Sequence, residues 1–117
     1  MPTIRDLVAA IRQRDGVEAA IVLGRDGLLI DGQAVPNLDT ENLAAHVPPI
    51  MSAADDFATA ANRGILLTAV FEYAEGLVVA SVLSADALLL VLVQPQANLG
   101  QLLFELRRNR ERMAALV

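Results

Sequence analysis

The side chains that could do chemistry in this chain are few and scattered. Cysteine is absent, which excludes a disulfide framework and a thiolate metal site. His46 is the only histidine, and neither an HExxH spacing nor a second ligand accompanies it, so a capping or solvent-facing role suits it. Asp55-Asp56 fits either a metal or partner contact or a solvated helix face. Gly24-Arg25-Asp26-Gly27 has the glycines of a phosphate loop, but Walker spacing and its lysine are missing. Those four residues read instead as a hairpin turn. Arg107, Arg108, Arg110 and Arg112 could hold phosphate, yet on a C-terminal amphipathic helix such arginines more often form a soluble face that complements the helix dipole. From Gly64 to Gln94 the only charges are Glu72, Glu75 and Asp86, with no Ser–His pair and no carboxylate pair. This inventory assigns no catalytic residue, no metal and no cofactor. The expectation is a protein that works through its surfaces.

Composition agrees. The 117 residues are read as a single domain, 1–117, with one core. Hydrophobic residues make up 55% before glycine is counted, above the roughly 45–50% that normally includes it. That excess points to self-association, because a small monomer has too little interior to hide it. Aromatics are only 3%, too few for base-stacking platforms. Residues 1–96 carry a net −7 and residues 97–117 a net +2. An acidic body argues against nucleic acid and against anionic membrane surfaces as partners. Arg5 and Asp6 interrupt the N-terminus before any signal-type apolar run. The longest apolar stretch, Leu77–Val93, contains Ser81, Ser84 and Asp86 and reads as two strands, so no membrane insertion is expected. The default address is cytoplasmic.

The elements that would position these residues follow from periodicity. Thr3 caps a first helix with Asp6 three residues on, and Ile4, Leu7, Val8 and Ile11 form its stripe. Val17–Leu23 and Leu28–Gly32 make a hairpin, the second strand polar enough for a sheet edge. Asp39 or Thr40 caps a helical region over which Leu43 to Ala61 keep helical period. Pro48-Pro49 must break or kink it within 46–49, leaving a turn of helix at about 40–46 and a main helix at about 49–62. Arg63-Gly64 is the expected stop. Three strands follow, the first read from Gly64 to Tyr73, and the last apolar on both faces and therefore central. Asn98 caps a final helix with the stripe Leu99, Leu102, Leu103, Leu106, Met113 and Leu116. The fold class is α+β, in the order α-β-β-α-β-β-β-α, with a five-stranded antiparallel sheet flanked by helices on both faces. The third strand belongs at an edge. Being long and apolar, it is a pairing template that something must cover.

This order, with the segments GVEAAIVLGRDGLLI, LDTENLAAHV, AEGLVVASVLSADALLLVLV and PQANLGQLLFELRRNRERMAAL, resembles the Roadblock family across roughly residues 3–116. Roadblock-type dynein light chains and bacterial MglB-like proteins share that domain. The resemblance implies strand order 2-1-5-4-3 and a homodimer in which third strands pair and middle helices lie side by side. It also implies a helical platform that binds a small Ras-like GTPase, in the MglB type stimulating GTP hydrolysis without donating a catalytic residue. On this reading Leu66, Thr68, Val70, Glu72, Met51 and Ala58 belong to the dimer interface. Ser52, Asp55, Asp56 and Thr59 face the GTPase, the buried stripe being Ile50, Ala54, Phe57 and Ala61. Met51 and Phe57 fit core or partner anchor equally. The alternative, a small-molecule sensory domain, shares the same α+β layout.

Overall fold

The apolar runs of the C-terminal half bury both of their faces only if a sheet carries helices above and below. The computed structural model describes residues 2–117. In it β1 (Val17–Gly24), β2 (Leu29–Ala34), β3 (Thr68–Tyr73), β4 (Gly76–Val82) and β5 (Ala87–Val93) form one sheet in the order β2-β1-β5-β4-β3. Every neighbouring pair is antiparallel. β5 is central, and its two faces divide as its alternation requires. Ala87, Leu89, Val91 and Val93 pack with α1 (Ile4–Arg12), α4 (Leu99–Arg108) and α5 (Arg110–Ala114). Leu88 and Leu90 pack with α2 (Thr40–Ala45) and α3 (Val47–Ala60). Ile21, Leu23, Leu88 and Leu89 are fully buried, each stabilising by roughly 1.5–3 kcal/mol.

Helix starts obey the local signals. Thr3 Oγ1 accepts from the Asp6 amide at 3.2 Å while Asp6 Oδ2 accepts from the Thr3 amide at 2.9 Å, a complete capping box. Asp39 caps α2, and Asn98 caps α4 by accepting from the Gln101 amide at 3.0 Å.

Three boundaries differ from the sequence expectation. The middle helical region does break at His46, but α3 begins at Val47, ahead of residue 49. Proline is tolerated in a helix's first turn, where amides lack partners anyway, so Pro48 and Pro49 start this helix where an interior proline would have interrupted one. Its end is set by Asn62 at φ +54°, before Arg63-Gly64. The Arg63 amide donates to Ala58 O at 3.0 Å and the Asn62 amide to Thr59 O at 3.2 Å, the paired bonds of a Schellman stop. β3 starts at Thr68, with Gly64 to Leu67 irregular before it. The final helix is also divided: Asn109 Nδ2 donates to Glu105 O at 2.9 Å, and α5 restarts at Arg110.

Ser81 is the one buried polar side chain of the core, and its Oγ has no hydrogen-bond partner among the described residues. Ser81→Ala is therefore expected to leave stability unchanged or raise it by about 1 kcal/mol, since an unsatisfied hydroxyl costs free energy that a methyl does not. Urea unfolding checks this. A loss above about 1 kcal/mol would show that the hydroxyl is satisfied.

Candidate interaction surface

α3 is held at one end only. Val47 and Met51 enter the core, Met51 with 3% of its surface exposed. The β1–β2 turn braces this end. Gly27 adopts φ +87°, and a Cβ there would lie 3.0 Å from Pro48 Cγ, so glycine is needed for both the turn and the contact. Arg25 Nη1 donates to Asp55 Oδ2 at 2.8 Å, and the Arg25 amide donates to Asp86 O at 3.0 Å. The Arg25–Asp55 pair is about one-third exposed on the arginine side, so it orients α3 more than it stabilises the fold.

Past this bracing the apolar side chains of the helix are exposed. Phe57 is 75% exposed, Ile50, Ser52, Asp56 and Thr59 are exposed, and Ala54, Ala58 and Ala61 are half-buried. The inward stripe is thus Val47, Met51, Ala54 and Ala58; of the expected stripe, Ala54 and Ala61 are half-buried while Ile50 and Phe57 are exposed. Residues 47–61 are apolar on most sides, so two stripes fit the period, and only the packing of Val47 and Pro48 chooses between them. Met51, expected at a dimer interface, is a core residue with almost no surface to give a partner. Asp55, expected to face outward, is half-buried and already bonded to Arg25.

The open edge of β3 completes the surface. Leu67 O accepts from the Val82 amide at 2.9 Å, and Thr68, Val70 and Glu72 stand opposite Ser81, Val79 and Leu77. Antiparallel ladders alternate, so Leu67, Ala69, Phe71 and Tyr73 spend their backbone groups on β4. Thr68, Val70 and Glu72 then point theirs at the free edge. Val70 and Glu72 side chains are exposed and Thr68 is half-buried, its Oγ1 accepting from Arg110 Nη2 at 2.7 Å. Leu66 is half-buried just before the strand.

Of the expected edge residues the structure places Leu66 and Thr68 around one cleft with Ala58, leaves Val70 and Glu72 exposed further along the strand, and leaves Ser52, Asp56 and Thr59 exposed on α3. Between α3 and the start of β3 lies an open cleft of about 580 Å³, lined by Ala54, Phe57, Ala61, Leu67 and Arg110 among others. Ile65, at 83% exposure, Leu67 and Tyr73 extend the apolar surface. The sequence places all three within the Gly64–Tyr73 strand without singling them out. Arg110 was also missed, although its signal was legible: it occupies the stripe position four residues after Leu106 and three before Met113, so it faces the sheet.

Among the described residues no group of three or more His, Asp or Glu gathers to hold a metal, and no helix is long and apolar enough to cross a membrane. A family model described as the Roadblock/LC7 domain matches residues 3–94. A Roadblock/LC7 domain from Streptomyces avermitilis superposes with a TM-score of 0.85 at 19% identity, covering 97% of each chain. Myxococcus xanthus MglB superposes with a TM-score of 0.85 at 14% identity, over 98% of this chain and 97% of that one. An uncharacterised Methanocaldococcus jannaschii protein is 26% identical over 106 residues, 91% of this chain and 92% of its own length.

Proposed function

The chain belongs to the Roadblock/LC7 domain family, and from that premise we propose that it is a non-enzymatic homodimeric regulator or scaffold for a small Ras-like GTPase. One observation carries the reading: exposed large apolar side chains gather where the outer half of α3 meets the start of β3, Phe57, Ile65 and Leu67 lining one cleft, with Val70 and Tyr73 exposed further along the open edge. An exposed apolar patch of this kind on a small domain marks a protein interface. Pairing of two β3 edges covers the strand and sets two α3 helices near one another. Their outer residues Ser52, Asp56 and Thr59 then form the platform on which the GTPase docks and its hydrolysis is stimulated.

The acidic platform steers a basic partner, so charge reversal acts mainly on association rate. Asp55 is a poor choice for that test because its loss also frees Arg25. Ser52→Arg with Asp56→Arg is expected to slow association with the GTP-bound GTPase by about tenfold at low salt and to flatten its salt dependence. Surface plasmon resonance with GTPases from the same cell, each loaded with GTP analogue or GDP, measures this. Unchanged kinetics would move the site off α3. Binding by none of these GTPases in either nucleotide state would overturn the regulator reading. It would favour the sensory alternative, whose ligand would enter the apolar groove of about 450 Å³ between α1 and α4, lined by Leu7, Ile11, Leu102 and Leu106.

A further inference from the structure

We propose that two copies of the chain pair through β3 in one register, centred on Val70, and that Arg110 of each protomer locks this register by an ion pair to the partner's Glu72. The proposal rests on the homodimer reading above and adds to it which residues meet.

The backbone selects the register first. Only Thr68, Val70 and Glu72 have amides and carbonyls facing the free edge. In an antiparallel pair related by a two-fold axis, outward residues must meet outward residues. Centring on Val70 sets Thr68 opposite the partner's Glu72 and Val70 opposite the partner's Val70, so every outward residue is paired. A slip of two residues in either direction leaves one outward residue of each strand without an outward partner. A slip of one turns the side chains to the wrong faces.

Side chains agree with that choice on both faces. On the α2–α3 face the register sets exposed Leu67 against the partner's Tyr73 and Ala69 against the partner's Phe71, so the two most exposed apolar ends of the edge cover one another. On the α4–α5 face the charges are sorted along the strand. Arg110 sits on Thr68 at the start of β3, with Arg107 beside the same cleft, while Glu72 and Glu75 lie at its end. Arg110 has no carboxylate within ion-pair distance and Glu72 has no cation, among the described residues. Antiparallel pairing brings the cationic start of each strand to the acidic end of the other. Directly opposed residues lie about 5.5 Å apart at Cα, so the partner's Glu72 carboxylate arrives beside Thr68 and the guanidinium already held there. In either slipped register Glu72 would face the partner's Leu66 or Val70, and the ion pair would be lost.

The test uses the full chain in two arms. Glu72→Arg and Arg110→Glu, each alone, are expected to raise the dimer dissociation constant about 10- to 100-fold in sedimentation at low salt, because each sets like charges together twice across the axis. Mixing the two variants is expected to recover most of the lost affinity, since both contacts of the mixed dimer then join opposite charges. The second arm exploits the absence of native cysteine: Val70→Cys should crosslink across the axis under mild oxidation much faster than Ala69→Cys or Phe71→Cys. Circular dichroism confirms that each variant is folded. If it shows a charge variant unfolded, the cysteine arm alone decides the register. A monomeric parent chain would overturn the dimer reading itself. A dimeric parent whose folded charge variants associate normally, whose mixture does no better than either variant, or which crosslinks fastest at residue 69 or 71 would leave the dimer standing and overturn this register.

Discussion

Val70→Pro should leave a folded monomer. The Val70 amide faces the free edge, so the ring removes no hydrogen bond from the β3–β4 ladder of its own protomer. At the proposed two-fold axis the same ring removes both amide donors of the central pair and places two pyrrolidines where the backbones must approach. The expected loss is on the order of 10²-fold or more in dimer affinity, from hydrogen bonds worth about 1 kcal/mol each plus the steric gap. Sedimentation should read the chain mass of 12.5 kDa where the parent reads about twice that. Circular dichroism and urea unfolding should show the protomer intact. A parent and variant of equal mass would remove β3 from the interface, whereas an unfolded variant would show that the Val70 backbone is constrained within the protomer.

Met51→Ala should cost about 2–5 kcal/mol of protomer stability, a large part of the total for a domain this size. Met51 fills the space between α3 and the sheet beside Ala80 and Leu90, at the one end where α3 is anchored. Its removal leaves a cavity that the braced turn at Gly27 and Pro48 has little freedom to close. The measurement belongs in the Val70→Pro background, because dimerisation otherwise makes apparent stability concentration-dependent. A large loss there is the core result. A negligible loss in the monomer, with the whole effect appearing in dimer affinity, would return Met51 to the interface.

These two side chains also show where the sequence was sufficient and where it was not. The centre and the edges of the sheet were legible because their causes are local or compositional, and the family resemblance implied the full order. β5 is apolar at Leu88, Leu89, Leu90 and Val91 alike, so it had to be central. Asp31 and Gln33 sent β2 to one edge, and Thr68 and Glu72, alternating along a long apolar strand, sent β3 to the other. Caps at Thr3, Asp39 and Asn98, the Asp26-Gly27 turn and the break before Pro48-Pro49 each involve groups within a few residues of one another, and the folded chain uses them as the sequence read them. The rotation of α3 about its own axis was not legible. An amphipathic helix declares its buried side, but from Val47 to Ala61 this one is apolar nearly all round, and its orientation was decided by a contact between Pro48 and Gly27, residues distant in sequence. The same holds for the partner of Asp55, which only the fold brings to Arg25, whereas the inward position of Arg110 was legible from its spacing and only its contact with Thr68 was not. Period and composition report which residues share a face of one element. They carry no information about which distant element arrives to cover it, and that arrival made Met51 core and Phe57 surface.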